Sequence, residues 1–400
     1  MKAVVVAAGE GTRMRPLTAR RPKPLLPVAG RPIVEHVMDA CADLVDGYVL
    51  VVGYRGDQMR DRIGEEFAGH PVTYTEQTEQ LGTAHAIGQA ADYVDERFLA
   101  LNGDVLLTEE LVTALAETPA NAMAVKRVDD PSSFGVVDVE DGSVTGIVEK
   151  PDDPPSNLAN LGVYAFESDI FDYIKATDLS ERGEYEITDS LGSLVADGER
   201  VDAVEYDGAW LDVGRPWDLL DANETLLADL DDDRRGTIEE GATIHGPAVV
   251  EEGARIRAGA YVEGPVLIQS GADVGPNAYV RGSTVVGRDV RVGNAVEVKN
   301  SILMADTAVG HLSYVGDSIL GEDVNFGAGT KVANLRHDDE AVEMRVKGEP
   351  VDTGRRKLGV VVGDGTKTGI NASINAGVKL GANTTTPPGK PITRDTDSQL

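Results

Sequence analysis

The sequence predicts an α/β domain with a mainly parallel, Rossmann-like sheet over residues 1–230, followed by a parallel β-helix over residues 236–400. Up to about residue 228, short β-branched runs alternate with segments of helical periodicity, which is typical of parallel strands joined by helices. From residue 236 onwards, apolar residues recur every six positions among many glycines, which is typical of hexapeptide solenoids. The two halves are therefore expected to form separate domains.

The α/β half shows its elements in a regular order. Strands are expected at residues 2–8, 47–52, 72–76 and 98–102, and helices at residues 33–44, 58–67 and 83–93. Ligands of parallel sheets gather at the carboxyl ends of the strands. A binding site is therefore expected in the segments that follow the first and last of these strands, residues 9–23 and 102–104.

The repeat in the C-terminal half is long and regular. Twelve apolar residues follow one another at intervals of six, from Ile238 to Met304, and the interval returns in residues 320–332 and 362–380. Each repeated residue is expected to point inward, with six residues forming one face of a coil. The segments 305–319 and 333–361 interrupt the interval and are predicted to be loops, which on solenoids commonly carry binding residues.

Composition narrows the range of partners. The net charge is −31, from 68 acidic and 37 basic residues, and only 12 of the basic residues are lysines. This pattern indicates adaptation to a high-salt cytoplasm and argues against nucleic acid and anionic membranes as partners. No segment is typical of a signal peptide or a membrane span. The single cysteine, Cys41, excludes an intramolecular disulfide and a cysteine metal cluster, and we predict a buried thiol.

The most informative segment lies near the N-terminus. An apolar run ends in a glycine turn, Gly9-Glu10-Gly11-Thr12, and several cations follow: Arg13, Arg15, Arg20, Arg21 and Lys23. Glycines let backbone N–H groups approach an anion closely, and the cations suit a polyphosphate. The segment is neither a dinucleotide loop, because Met14 stands where the third glycine is needed, nor a Walker loop.

This segment resembles the signature of the sugar-1-phosphate nucleotidylyltransferases: A-A-G-x-G-T-R-M, then x-P-K-P, then G-x-P-I. The resemblance covers residues 1–228. It implies that Arg13 and Lys23 are catalytic and neutralise charge on the α-phosphate and the departing pyrophosphate. It also implies nucleotide contacts from two motifs, the glycine turn and E-Q-L-G-T-A, at the following positions: Ala8, Gly9, Gly11, Thr12, Gln80, Gly82 and Thr83.

The same resemblance implies a metal and a sugar site. Asp104 in L-N-G-D and Asp212 in W-L-D-V-G match the family's two Mg²⁺ ligands. The sugar-phosphate residues carry over to Gly135, Glu149, Lys150 and Asn160. Asp212 is typical of thymidylyltransferases, whereas the bifunctional uridylyltransferases usually have Asn there. The choice between UTP and dTTP, and between glucose and N-acetylglucosamine phosphate, stays open.

The C-terminal half contains a spaced set of polar residues, Arg281, Lys299, His311, Tyr314, Asn325 and Asn334. In this set it resembles the acetyltransferase half of the bifunctional N-acetylglucosamine-1-phosphate uridylyltransferases, which implies a left-handed β-helix and a trimer or a dimer of trimers. In this resemblance His311 is the general base of acetyl transfer from acetyl-CoA. The resemblance implies that Arg281 and Lys299 bind the phosphate, together with Lys357 beyond the long insertion. Tyr314 and Asn325 would position the sugar, and Asn334 would orient His311 or the acceptor. The backbone at Ala328 would contact acetyl-CoA.

These resemblances together predict a cytoplasmic bifunctional enzyme. It would acetylate glucosamine-1-phosphate or galactosamine-1-phosphate and then transfer a uridylyl group from UTP to the product, with Mg²⁺ as cofactor. One alternative is a monofunctional glucose-1-phosphate thymidylyl- or uridylyltransferase with a structural β-helix, which Asp212 favours and His311 opposes. A second alternative is a non-catalytic regulatory subunit, which the intact Arg13, Lys23 and Asp104 oppose.

Overall fold

The computed structural model of the protein describes residues 1–396. The chain divides into two compact units. The first unit contains Met1–Glu10, Pro22–Leu25 and Pro32–Asp212, and the second contains Gly11–Arg21, Leu26–Arg31 and the chain from Val213 onwards. Two short N-terminal segments therefore belong to the unit that holds the C-terminal half, which the sequence had not indicated.

A ten-stranded sheet forms the first unit. In spatial order its strands are Gly135–Glu140, Ser143–Glu149, Val201–Glu205, Asn121–Arg127, Leu158–Phe166, Phe98–Asn102, Lys2–Ala7, Gly47–Val52, His70–Glu76 and Glu66–Phe67. The predicted parallel sheet is confirmed in the four neighbouring strands that begin at Phe98, Lys2, Gly47 and His70. Antiparallel strands extend the sheet beyond Phe98–Asn102. A separate short pair joins Val105–Leu106 to Leu211–Asp212.

Within residues 1–396 there are seven α-helices: α1 Ile33–Asp39, α2 Gly56–Ile63, α3 Thr83–Gly88, α4 Glu109–Glu117, α5 Ile170–Ala176, α6 Ile187–Ala196 and α7 Asp218–Ala228. Short 3-10 turns lie at Thr12–Met14, Leu17–Ala19, Lys23–Leu25, Ala42–Leu44 and Ala91–Tyr93.

The three predicted helices exist, but each ends earlier than expected. For example, α2 stops at Ile63 because Gly64 takes a positive φ of 77°, a conformation that ends helices, and a strand follows at Glu66. Helix α4 begins where Thr108 Oγ1 accepts the N–H of Leu111, an N-cap bond.

The second unit is a parallel β-helix with three sheets, as predicted. The first sheet contains Asp233–Arg234, Ala248–Val250, Val266–Ile268, Thr284–Val286, Ile302–Leu303, Ile319–Leu320, Val361–Val362 and Lys379–Leu380. The second contains Thr237–Ile238, Arg255–Ile256, Asp273–Val274, Arg291–Asn294, Ala308–His311, Asn325–Phe326 and Lys367–Thr368. The third contains Thr243–His245, Tyr261–Glu263, Tyr279–Arg281, Glu297–Lys299, Tyr314–Gly316, Lys331–Val332, Ser373–Ile374 and Pro391–Ile392.

The interior of the β-helix is a stack of the repeated apolar residues, mostly valines with no exposed surface. One predicted position is wrong. Leu303, not Met304, stands opposite Val286 and Leu320 and lies in the apolar core, because this coil is one residue shorter than the coil before it. The next coil, from Leu303 to Leu320, is equally short, and the two shortenings together explain the apparent break in residues 305–319, which form regular strands rather than the predicted loop.

The insertion at residues 333–361 leaves the solenoid, as predicted, but it has a structure of its own. It contains an antiparallel hairpin, Glu343–Val346 with Glu349–Asp352. Arg355 near its end forms ion pairs with Asp221 and Glu224 of α7. The C-terminal end of α7 packs on the coils through Leu227, beside Leu267 and Val285. The insertion is therefore fixed to the helix that precedes the solenoid.

Candidate active sites

Three predicted catalytic and metal-binding residues meet in the first unit. Asp104 follows the strand Phe98–Asn102, and Asp212 ends a short strand that places it opposite Val105. Lys23 Nζ lies 2.6 Å from Asp104 Oδ2 and 4.0 Å from Asp212 Oδ1. Residues far apart in sequence thus form one cluster, with two carboxylates facing one ammonium group.

This cluster fits Mg²⁺. Two carboxylates converge on a position next to a cation, and Mg²⁺ is commonly bound by one or two carboxylates together with substrate phosphates. In the described part of the chain no group of three or more His, Cys, Asp or Glu side chains is arranged to hold a metal. Asp104 and Asp212 would therefore need phosphate oxygens or water to complete the coordination of the ion.

The predicted nucleotide-binding residues of the first unit are also neighbours. Gln80 Nε2 donates to the carbonyl of Ala8, 3.2 Å away, so the E-Q-L-G-T-A motif lies beside the end of the first strand. Thr83 begins α3, and its Oγ1 accepts the N–H of Ile187 at 3.1 Å. Gly82 has φ 107°, and a Cβ there would lie 2.5 Å from the Tyr185 carbonyl oxygen. Only glycine fits this position without strain.

The rest of the glycine turn belongs to the second unit. Gly11 adopts a left-handed conformation with φ 65°, and its carbonyl accepts the hydroxyl of Thr18 at 2.8 Å. Thr12 starts a 3-10 turn that contains Arg13, whose side chain is exposed. The backbone conformation of this segment therefore depends on its glycine.

Two of the predicted polyphosphate cations have another role. Arg21 forms ion pairs with Glu322 at 2.6 Å and with the buried Asp364 at 2.8 Å. Arg20 donates to the side-chain oxygen of Asn383 at 2.6 Å. Both arginines attach the N-terminal segment to β-helix coils within the second unit, a structural role that the sequence had not indicated.

The predicted sugar-phosphate residues form a second cluster in the first unit. Glu149 stands opposite Gly135 across an antiparallel pair, and a Cβ on Gly135 would lie 3.1 Å from Glu149 Oε2. Lys150 Nζ lies 3.1 Å from Glu149 Oε1. Asn160 donates to the Tyr164 hydroxyl at 2.7 Å and accepts the N–H of Gly162 at 3.0 Å. A glycine at position 135 keeps space open beside the Glu149 carboxylate.

Sequence reasoning missed three residues of this cluster. Arg182 Nη1 bridges Glu149, at 3.3 Å, and Glu186, at 2.9 Å, while the Thr188 hydroxyl donates to Glu149 at 3.3 Å. Burial, reinforced by the nearby Glu149 charge, raises the pKa of the Glu186 carboxyl. The charged stretch R-G-E-Y-E marks a loop in the sequence, but nothing in it indicates that the loop returns to Glu149.

Four predicted acetyltransferase residues converge on one face of the β-helix. Arg281 and Lys299 are register partners on adjacent coils. Arg281 donates to Glu297 Oε1 at 2.8 Å, and Lys299 Nζ lies 2.9 Å from both carboxylate oxygens of Asp317. The Asn334 amide donates to the Tyr314 hydroxyl at 3.1 Å and to Asp317 at 2.5 Å. Burial raises the pKa of the Tyr314 hydroxyl, which is therefore a neutral hydrogen-bonding group.

The remaining predicted residues of this half lie around the cluster and around a pocket. His311 is exposed, and its carbonyl accepts the N–H of Gly329 at 3.0 Å, next to Ala328. Ala328 lines an open pocket of about 480 Å³ with the exposed apolar side chains Leu312 and Ile370. The described hydrogen bonds of the Asn334 amide go to Tyr314 and Asp317 rather than to His311.

The last two predicted residues are less tied to the cluster. Asn325 is exposed on the strand that pairs with Ala308–His311, one strand from the general-base candidate. Lys357 is exposed and forms an isolated antiparallel β-bridge with Leu335, the residue after Asn334. The backbone of Lys357 therefore lies near the cluster.

Comparison with known proteins gives matches for both halves of the chain. A nucleotidyl transferase family model matches residues 2–229, and a model described as the GMPPB C-terminal domain matches residues 262–377. The chain is 46% identical over 385 residues to the bifunctional protein GlmU of Methanocaldococcus jannaschii, covering 96% of this chain and 92% of that one. It is 38% identical to a bifunctional sugar-1-phosphate nucleotidylyltransferase/acetyltransferase of Sulfurisphaera tokodaii, covering 99% and 98% of the two chains.

A solved structure gives the same result for the first half. A putative glucose-1-phosphate thymidylyltransferase from Bacillus anthracis superposes with a TM-score of 0.52 at 30% identity, covering 58% of this chain and 98% of that one. Among residues 1–396, none of the helices is both long enough and apolar enough to cross a membrane. The chain belongs to the nucleotidyl transferase family, and it is similar over nearly its whole length to proteins named as bifunctional nucleotidylyltransferase/acetyltransferases.

Proposed function

We propose that the protein makes a nucleotide sugar in two steps. It acetylates glucosamine-1-phosphate, or galactosamine-1-phosphate, with acetyl-CoA, and it then transfers a uridylyl group from UTP to the product and releases pyrophosphate. The observation that carries the proposal is that each unit holds its own polar cluster: Lys23 with Asp104 and Asp212 in one, Lys299 with Tyr314 and Asn334 in the other.

In nucleotidyl transfer a phosphate oxygen of the sugar-1-phosphate attacks the α-phosphorus of the nucleotide. The bond to the β-phosphate oxygen breaks, and pyrophosphate leaves. Asp104 and Asp212 would hold Mg²⁺, which neutralises negative charge on the triphosphate when bound. Lys23 donates to Asp104, which would hold its ammonium near the reacting phosphates. Arg13, Gly11 and Thr12 are assigned to the nucleotide on their sequence motif.

The sugar-1-phosphate would be bound by the Glu149 cluster. The Glu149 carboxylate can accept hydrogen bonds from sugar hydroxyls, and Lys150 beside it can pair with the phosphate. The Asn160 amide, held by Tyr164 and Gly162, is oriented for a hydroxyl or an N-acetyl group. Gln80 would contact the base from its place beside Ala8.

In acetyl transfer the amine of the amino sugar attacks the thioester carbon of acetyl-CoA. The carbon–sulfur bond breaks, His311 accepts the proton that the amine loses and passes it to the departing sulfur, and coenzyme A leaves as its thiol. Arg281 and Lys299 would bind the phosphate of the acceptor. The pocket beside Ala328 has apolar walls from Leu312 and Ile370, which suits the pantetheine arm of coenzyme A.

One experiment follows both steps. The protein is incubated in high salt with Mg²⁺, UTP, acetyl-CoA and glucosamine-1-phosphate, and the products are separated by chromatography. The proposal predicts UDP-N-acetylglucosamine from the wild type, accumulation of N-acetylglucosamine-1-phosphate by Asp104→Asn, and unreacted glucosamine-1-phosphate with His311→Ala. If both variants match the wild type, the assignment of the two clusters is wrong.

A second candidate is a monofunctional glucose-1-phosphate thymidylyltransferase with a structural β-helix, which Asp212 favours. It predicts pyrophosphate release from dTTP and glucose-1-phosphate, and no coenzyme A release from any amino-sugar phosphate. Parallel assays with UTP and dTTP distinguish it from the main proposal. We also propose a trimer or a dimer of trimers, which light scattering after size-exclusion chromatography would test.

A further inference from the structure

Asp317 lies at the centre of the polar cluster on the β-helix, and no motif in the sequence assigned it a role. It is 2% exposed and follows the strand Tyr314–Gly316. Its two carboxylate oxygens accept four hydrogen bonds: two from Lys299 Nζ at 2.9 Å, one from Asn300 at 3.1 Å and one from Asn334 at 2.5 Å. One buried carboxylate therefore fixes two of the side chains assigned to the acetyl acceptor.

The contacts of Lys299 show what this carboxylate controls. A lysine ammonium has three N–H donors on a flexible stem. The Lys299 ammonium makes two hydrogen bonds to Asp317, and these fix the direction of its third N–H donor. Asp317 also cancels the charge of Lys299, and Glu297 does the same for Arg281 on the neighbouring coil. The cluster would therefore bind an acceptor phosphate through the orientation of its donors rather than through excess positive charge.

A second set of hydrogen bonds connects Asp317 to α7 through Asn300. Asn300 donates to Asp317 and also, at 2.8 Å, to Glu224 of α7. Glu224 pairs in turn with Arg355 from the insertion. The polar cluster is thus attached to two elements outside the regular coils, and Asn300 is the link between them.

We propose that Asp317 is a positioning residue for acetyl transfer, which orients Lys299 and Asn334 towards the amino-sugar phosphate. This inference rests on the proposed acetyltransferase activity. The two possible effects of Asp317 have opposite signs. If it only cancelled charge, its loss would strengthen phosphate binding, whereas if it orients the ammonium, its loss weakens binding. Loss of one charge-assisted hydrogen bond corresponds to a roughly 10- to 100-fold weaker interaction.

The test is steady-state acetyl transfer by Asp317→Asn, with glucosamine-1-phosphate and acetyl-CoA varied separately. We expect the KM for glucosamine-1-phosphate to rise at least about tenfold, and the KM for acetyl-CoA to stay within about twofold, because the Ala328 pocket does not include Asp317. Pyrophosphate release by the same preparation is the internal control. Asp273→Asn, which breaks an Asp–Arg pair between other coils, is the matched variant and should leave both KM values unchanged.

A second variant covers the case that Asp317→Asn fails to fold. Asn300→Gly removes one amide from Asp317 but keeps the positive φ of 45° at this position. It should raise the same KM by a smaller factor. An unchanged or lower KM for glucosamine-1-phosphate, or an equal rise in both KM values, overturns the positioning role. If the wild type releases no coenzyme A, the proposed acetyltransferase itself fails, and this inference fails with it.

Discussion

The Arg21 ion pairs offer a prediction that separates a structural role from a phosphate-binding role. The Arg21 side chain is 11% exposed and pairs with Asp364, which is 5% exposed, and with Glu322, which is 48% exposed. In Arg21→Met the apolar stem is retained, but the buried Asp364 carboxylate loses its cationic partner and keeps the N–H of Glu322. Breaking a buried pair from one side costs about 3–5 kcal/mol. The contact with Glu322 contributes little, because that carboxylate is half in solvent.

We take the lower end of this range, about 3 kcal/mol, because Arg21 Nε is buried and has no hydrogen-bond partner among residues 1–396, a cost that Arg21→Met removes. For a unit of this size the loss lowers Tm by about 6 to 12 °C. Differential scanning calorimetry measures it, and the shift should persist in high salt because buried pairs are weakly screened. Arg20→Met, a change at the exposed neighbour, is the control and should shift Tm much less. A Tm shift below about 2 °C for Arg21→Met, with a large rise in the KM for the nucleotide, would refute the reasoning.

Four further predictions concern single groups. Asp104→Asn should lower kcat/KM for pyrophosphate release at least about 100-fold, roughly 3 kcal/mol, while coenzyme A release stays unchanged; equal rates for wild type and variant would contradict the metal assignment. Gly82→Ala should lower Tm and nucleotide affinity together, because its Cβ would meet the Tyr185 carbonyl at 2.5 Å; binding titration and calorimetry check this. Burial raises the pKa of the Cys41 thiol to about 12, so a thiol reagent should label it only after unfolding. The raised pKa of Glu186 means that the folded state binds its proton more tightly than the unfolded state. Its contribution to stability is therefore full below about pH 4.3 and is lost as pH rises through the folded pKa. Tm should therefore fall less with rising pH in Glu186→Gln than in the wild type. An unchanged dependence of Tm on pH would contradict the raised pKa of Glu186.

The sequence predicted the β-helix well because its period directly reflects the geometry of a coil. Each repeated apolar residue fills one of three interior columns, one for each sheet, and an unbroken run of twelve residues at equal spacing matches neither a helix nor an ordinary sheet. The prediction failed at Met304, where one missing residue shifts the register. Periodicity alone does not distinguish a coil that is one residue shorter from a loop that leaves the solenoid. The pairing of Leu303 with Leu320 shows that the coil is shorter.

The candidate sites were predictable where a short motif carries the chemistry and unpredictable where the fold supplies the partner. Asp104 and Asp212 lie far apart in sequence and come together through one short strand pair. The ion pairs of Arg21 could not be foreseen, because a cation after a glycine turn suits phosphate equally well. Asp317 and Arg182 were missed for the same reason: each acts on a residue of another segment, and neither stands in a recognisable motif.

The central claim is that both units are catalytic, and coenzyme A release tests it most directly. The purified protein is incubated in high salt with Mg²⁺, acetyl-CoA and glucosamine-1-phosphate, and free thiol is followed for the wild type and for His311→Ala. We expect thiol release by the wild type and its loss in the variant. No thiol release with glucosamine-1-phosphate or galactosamine-1-phosphate would contradict the claim and would leave the β-helix as an assembly or regulatory module.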